Sequence, residues 1–257
     1  MSASAYLSAI SSLLSKIEES ELPKIQAAAR ACADSIEKGG WVYSFGSGHS
    51  VIPVMDVFPR YGSFVGFMPI TDPRLMWTSV LGPGGAPGIL WLERQEGYVA
   101  TLLSGYVLRP EDTLIVYSHG GLNAAPVEAA AYARRSGTTV IAVTSGDNHV
   151  RASATHSSGK KLGDLADVLI DNCVPLEDAL VSVDGVVAPV GAGSTVAVTA
   201  ITSALVAEVA AELARRGRPP VPFASPNIHG IPPSHNEGVF EAFRLRVAGS
   251  AARGAKD

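Results

Sequence analysis

Val42-Tyr43-Ser44-Phe45-Gly46-Ser47-Gly48-His49-Ser50 changes character half-way along. Val42 to Phe45 suit a buried strand, Gly46 to Ser50 are small and rich in donors, and a periodic segment follows. Glycines let the backbone approach closely, hydroxyls and N–H groups turn inward, and a helix start adds partial positive charge. The stretch therefore predicts a strand, an anion-holding loop and a helix. One such loop is also what a tight connection looks like, so its meaning depends on its partners elsewhere in the chain.

On its N-terminal side, Leu7, Ile10, Leu13, Leu14 and Ile17 recur at spacings of three and four and predict an amphipathic helix over 5–17. A second helix is expected over 22–38, with Pro23 in its first turn and Gly39-Gly40 as its stop. On the C-terminal side, a short helix is expected over 51–58, a strand over 63–67 and a glycine-rich loop over 71–88. A helix follows over 89–106. A regular alternation comes next: strand 113–117, loop 118–123, alanine-rich helix 124–136, strand 138–143, loop 144–147, strand 168–171 and a long helix over 194–216. A last helix runs to about residue 247. The strands are near-continuous apolar runs, as in a parallel sheet covered on both faces. The expected fold is α/β, a doubly wound, Rossmann-like parallel sheet flanked by helices, with two N-terminal helices. Residues 1–257 read as one domain: a helical pair over 1–40, the α/β core over 41–216, and an arm with a helix over 217–257.

Of 257 residues, 47% are hydrophobic and 17% charged, a globular composition with a large core. A net charge of −4 without a basic stripe argues against nucleic acid as a partner. Cys32 and Cys173 are too few for a disulfide framework and read as reduced thiols. The N-terminus lacks the features of a signal peptide. The most apolar stretch, 196–209, is too short to span a bilayer and carries Thr199, Thr202, Ser203 and Glu208. A cytoplasmic protein without membrane contact is expected.

Three core strands end in small polar loops: 46–50, Ser118-His119-Gly120-Gly121-Leu122-Asn123, and Thr144-Ser145-Gly146-Asp147. In open parallel sheets ligands bind beyond the carboxyl ends of the strands, so these loops converge on one crevice. Their hydroxyls, amide and backbone N–H groups suit a phosphate held by Ser47, Gly48, Ser50, Ser118, Asn123, Thr144 and Ser145. No G-x-G-x-x-G is present, and no dinucleotide or other cofactor is expected.

These residues resemble the sugar isomerase (SIS) domain of phosphosugar-binding proteins. That family has a Gly-x-Gly-x-Ser loop after the first strand and a Ser-x-Ser-Gly-x-Thr/Asn loop after a later one. Gly46-Ser47-Gly48-His49-Ser50 matches the first, and Ser118 to Asn123 match the second with Gly120 in place of its second serine. The resemblance covers roughly residues 5–216 and looks strongest to stand-alone bacterial SIS proteins. Phosphoheptose isomerase and N-acetylmuramic acid 6-phosphate etherase are more distant. It implies phosphate contacts from Ser47, Ser50, Ser118 and Asn123. By analogy with phosphoheptose isomerase, it also implies an acid on the helix after the first loop, where Asp56 falls.

Aldose–ketose isomerisation needs a base for the proton beside the carbonyl and an acid for the enediol oxygen. His49 lies in the first loop. Glu93 and Glu96, three apart on one expected helix, allow one carboxylate to face the crevice. His235 opens the last helix after a proline-rich arm. These four sites, His49, Asp56, Glu93 and His235, are the catalytic candidates, and each also fits a surface role. His149 and His156 read as solvent-facing. No H-x-x-x-H, H-x-H or Cys/His spacing supports a preformed metal site, which leaves only an assembly of His49, His235 and a carboxylate. The expected activity is an isomerase acting on a phosphorylated sugar. A lyase or etherase of the N-acetylmuramic acid 6-phosphate type and a non-catalytic sugar-phosphate sensor are the alternatives. The apolar excess of helix 194–216 predicts a homodimer or homotetramer.

Overall fold

Five parallel strands form the sheet: β1 (Val42–Gly46), β2 (Phe67–Ile70), β3 (Thr113–Tyr117), β4 (Thr139–Thr144) and β5 (Val168–Asp171). Their spatial order is β2-β1-β3-β4-β5. The structure, a computed structural model, describes residues 2–254 and the side chains of residues 2–250. Successive strand residues face opposite sides, so each strand feeds two cores. Val42, Ile115, Tyr117, Ile141 and Val143 pack on one face; Tyr43, Phe45, Leu114, Val116 and Val140 pack on the other.

The first face is covered by α1 (Ser2–Glu37), α2 (Val51–Asp56) and α7 (Ser194–Arg215), through Ile17, Ala28, Cys32, Val54, Ile201 and Leu205. The second is covered by α4 (Tyr98–Leu103) and α5 (Ala124–Arg135), whose Ala129, Ala130 and Ala133 let helix and sheet approach closely. Shorter α3 (Ala86–Leu92) and α6 (Gly146–Arg151) lie at the strand ends. A hairpin of β6 (Ala179–Val181) and β7 (Val190–Ala192) precedes α7, and α8 (His235–Gly254) closes the chain.

The doubly wound sheet is as expected, but several elements differ from the sequence prediction. The N-terminal pair is one 36-residue helix that continues through Pro23. Proline inside a helix costs roughly 3 kcal/mol. Burial of Leu13 and Ile17 on one side of it, and of Ile25, Ala28, Ala29, Cys32 and Ala33 on the other, offsets that loss. Glu21 adds a tether, accepting from the Asp171 N–H at 2.9 Å. The strand expected over 63–67 begins at Phe67, after Gly66 with φ +148°. Pro69 is tolerated there because β2 is an edge strand.

The helix expected over 89–106 is broken at Gly97, where φ is +88°. Glu128 of α5 accepts from the N–H groups of Gly97, Val99 and Ala100 and so caps α4 from outside. The apolar run 196–209 belongs to a 22-residue helix that by length and composition could cross a membrane. In the fold that helix packs along α1 and against Tyr117, with Thr202 Oγ1 donating to the Tyr117 hydroxyl at 3.0 Å. Its buried side, with Ala197, Val198, Ile201, Leu205, Val209 and Leu213, thus serves the core of this chain, while Val196 stays exposed.

Candidate active site

The strand order reverses direction between β1 and β3, and in such sheets the ligand crevice opens at that switch point. The loops leaving β1 and β3 are 46–50 and 118–123, and the register pairs Gly46 with Tyr117 at their roots. The glycines of the first loop have separate structural reasons. A Cβ on Gly46 would lie 2.2 Å from the Ser50 carbonyl oxygen, and Gly48 has φ +59°. The chain turns at once into a single 3₁₀ turn, Gly48–Ser50, with the Ser50 N–H donating to the Ser47 carbonyl at 3.1 Å.

Glu93 joins the two loops. It ends α3, is 9% exposed, and accepts from Ser47 Oγ at 2.9 Å and from Asn123 Nδ2 at 2.8 Å. Its backbone carbonyl accepts the Ala125 N–H at the start of α5, which fixes the end of α3 against the second loop. Burial pushes the Glu93 carboxyl above the usual carboxylate range, outweighing the hydrogen bonds from Ser47 and Asn123 and the nearby Arg94 charge, which all pull it down. Each oxygen takes one hydrogen bond, leaving a lone pair on each to accept a substrate proton. A partly desolvated carboxylate held from two sides is suited to work as a general base.

The other carboxylate of that pair, Glu96, is turned away and accepts from the N–H of Ser157 at 2.7 Å and from its hydroxyl. His49 is exposed and stacks on Trp77, ring centroids 4.9 Å apart. Ser118 Oγ accepts from the Gly121 N–H at 3.1 Å, which leaves its own proton to donate. Ser47 and Asn123, read from sequence as phosphate ligands, direct their donors to Glu93 instead. Thr144 and Ser145 are turned into the fold. Thr144 Oγ1 donates to the His119 carbonyl at 3.1 Å, and Ser145 Oγ to the Val174 carbonyl at 2.7 Å. Both side chains are buried and brace the second loop rather than face the crevice.

Asp56 makes an ion pair with Arg60 one turn on and lines a cleft of about 210 Å³ between α2 and α7, with Ser63, Thr199, Thr202 and Ser203. His235 lies in the C-terminal arm, its Nε2 2.8 Å from the Pro222 carbonyl, while Asn236 both donates to and accepts from the Ala224 backbone. His49 and His235 do not converge, and among the described residues no three His, Cys, Asp or Glu side chains are grouped to hold a metal. His149 and His156 are not solvent-facing. Their side chains are 24% and 13% exposed, and His156 Nε2 is 3.8 Å from Glu96 and 4.0 Å from Glu128.

His119, inside the second loop, has a structural role that residue type alone did not reveal. Asn172 Oδ1 accepts the Val174 N–H at 3.0 Å, so its Nδ2 is turned to His119 Nδ1 at 3.4 Å. His119 Nε2 lies 3.3 Å from the Leu176 carbonyl and 3.3 Å from Asn148 Nδ2. The ring thereby ties the loop to the segment after β5. Its position between Ser118 and Gly120 was the only sequence signal for it.

The family model of the SIS domain matches residues 5–145, which includes both loops and Glu93. The chain belongs to the SIS domain family. A UPF0309 protein of Streptomyces coelicolor is 35% identical over 249 residues, covering 95% of this SIS chain and 96% of that protein. A UPF0309 protein of Thermoanaerobacter pseudethanolicus is 33% identical over 246 residues, covering 94% and 97%. The phosphoheptose isomerase of Neisseria gonorrhoeae shares the fold at a TM-score of 0.57 and 16% identity, covering 80% of this chain and 97% of that one. An Escherichia coli protein solved in complex with A5P does so at 0.52 and 15%, covering 83% and 89%.

Proposed function

We propose that this SIS protein binds a phosphorylated sugar in the crevice between the β1 and β3 loops and interconverts aldose and ketose forms through an enediol. The observation that carries the reading is Glu93: a buried carboxylate with a raised pKa, gripped by one residue from each loop. The phosphate rests on Ser50, Ser118 and the loop backbone, and Glu93 removes the proton beside the carbonyl. His49, on the rim of the first loop, is the group placed to protonate the enediol oxygen. A fold neighbour that holds a sugar phosphate and two phosphoheptose isomerases among the fold neighbours support the substrate class. Exposed Leu90 and Trp91 on α3, with Val80 and Leu81 just before it, support assembly into a homo-oligomer.

The test is solvent deuterium incorporation into a panel of aldose and ketose phosphates, followed by NMR. Label appearing next to the carbonyl, with the partner sugar as product, supports the reading; no incorporation into any of them counts against it. Loss of a β-substituent after label uptake would instead identify an elimination, which begins with the same proton abstraction.

Two substitutions examine the phosphate half. Ser118→Ala removes a donor to an anion, and a hydrogen bond to a charged group contributes about 1.5–3 kcal/mol. Sugar-phosphate binding is expected to weaken at least about tenfold, with unphosphorylated sugars unaffected; equal loss for both would refute the assignment. Gly120→Ser supplies the hydroxyl that the second loop lacks relative to the family pattern. A Cβ at Gly120 has no neighbour within 4 Å, and its φ is not in the left-handed region. The variant is expected to fold normally and to bind inorganic phosphate several-fold more tightly, measured by calorimetry.

A further inference from the structure

Trp77 Nε1–H is buried and has no acceptor among the described residues. An unpartnered buried donor is destabilising, so its position calls for an explanation. The indole meets the first loop by its N–H edge. A Cβ placed on Gly48 would lie 2.8 Å from Nε1, against 3.5 Å from Cε2 and 3.7 Å from Cζ2. Its ring stacks on His49 at 4.9 Å, so the indole is seated against two successive residues of the anion loop.

The segment that carries Trp77 is pinned on both sides. Before it, Asp72 caps a 3₁₀ turn by accepting the Arg74 N–H at 3.0 Å, and the Met76 N–H donates to the Pro73 carbonyl at 3.4 Å. After it, the N–H groups of Thr78 and Ser79 both donate to the Gly84 carbonyl, at 3.1 and 3.2 Å. The strap therefore presents the indole to the loop in a set orientation.

We infer that Trp77 is part of the anion site: its indole N–H is the donor that a phosphate oxygen seated on loop 46–50 accepts, and the Trp77–His49 stack is one wall of the crevice. The inference rests on the phosphosugar reading and adds to it a ligand that the resemblance did not imply. The lack of a Cβ at Gly48 lets the indole edge approach the loop that closely. The ligand chemistry is a phosphate monoester or free phosphate dianion, and the test separates the two.

Two variants at position 77 are compared with wild type. Trp77→Phe removes the N–H with part of the ring. Replacement by benzothienylalanine keeps the bicyclic shape and exchanges the N–H for sulfur. Inorganic phosphate, glucose 6-phosphate and glucose are titrated calorimetrically, and Tm is measured without ligand. Both variants are expected to bind inorganic phosphate and glucose 6-phosphate about tenfold more weakly. The ligand-free Tm of the benzothienyl variant is expected to be no lower than that of wild type, because no bond is lost and an unpartnered buried donor is removed. A loss confined to glucose 6-phosphate would place the contact on the ester oxygen rather than on the dianion, and equal loss for both on the dianion; either supports the assignment. Undiminished binding of both inorganic phosphate and glucose 6-phosphate by the benzothienyl variant overturns it, as does a fall in ligand-free Tm, which would reveal an acceptor inside the fold. If wild type takes up neither phosphate nor glucose 6-phosphate, the phosphosugar reading itself falls and takes this inference with it.

Discussion

Glu93→Gln is expected to lower the rate of solvent deuterium incorporation into the substrate by about 10²–10⁴-fold, the usual contribution of a positioned general base. Its dissociation constant for the sugar phosphate should stay within a few-fold of wild type. Glutamine fits the same site: its Oε1 can accept from Asn123 Nδ2, and its Nε2 can donate to Ser47, whose hydroxyl rotates to accept. The substitution thus removes the proton acceptor and keeps the geometry. A variant that exchanges deuterium as fast as wild type would remove Glu93 from the mechanism.

The same carboxyl links activity to stability. Burial raises its pKa above the ordinary value near 4.5. For an acid, a folded-state pKa above the unfolded one favours the folded protein below pH 4.5. That contribution is lost as pH rises through the folded-state value. The ionised base therefore lowers stability at neutral pH, and Glu93→Gln should melt no lower than wild type there. Activity runs the other way, increasing with pH through the same raised pKa, because only the carboxylate accepts a proton. A melting gain at neutral pH that shrinks toward pH 4.5, together with lost exchange, would be the expected signature of a strained functional group.

What was legible from sequence follows the range of the interactions involved. The runs Thr113–Tyr117 and Thr139–Thr144 carry their own period and β-branched composition, so strands and loops could be placed from neighbours alone. Ser47, Asn123 and Glu93 were each nominated, but their mutual arrangement depends on hydrogen bonds across 46 and 30 residues. The choice between Glu93 and Glu96 is likewise made at a distance. Gly97 turns the chain, and Ser157, 61 residues on, takes Glu96. Pro23 signals a helix start in isolation; the long contact between α1 and α7 overrides it. Trp77 was invisible as a site residue because nothing local shows which face of a glycine-rich loop meets the strap.

Gly46→Ala is expected to destroy anion binding and to lower Tm by roughly 6–12 °C. Gly46 is the last residue of β1, paired with Tyr117, and its φ is not in the left-handed region, so alanine meets no conformational penalty there. The obstacle is steric. The added Cβ would lie 2.2 Å from the Ser50 carbonyl oxygen and 2.6 Å from its carbon. Neither is the mobile end of a side chain, so relief requires the 3₁₀ turn Gly48–Ser50 to move as a unit. Overpacking of this kind costs about 1–3 kcal/mol, and a clash with backbone belongs at the upper end. At roughly 2–4 °C per kcal/mol for a domain of this size, that cost gives the Tm change above. Displacing the turn also shifts Ser47 away from Glu93, so phosphate titration and deuterium exchange should both fail in the one variant. Gly120→Ala is the matched control: with open space around the new methyl it should melt at the wild-type temperature. If Gly46→Ala melts and binds like wild type, the tight approach of Ser50 to Gly46 is not what shapes the loop. If both glycines prove equally sensitive, loop flexibility rather than packing governs the site.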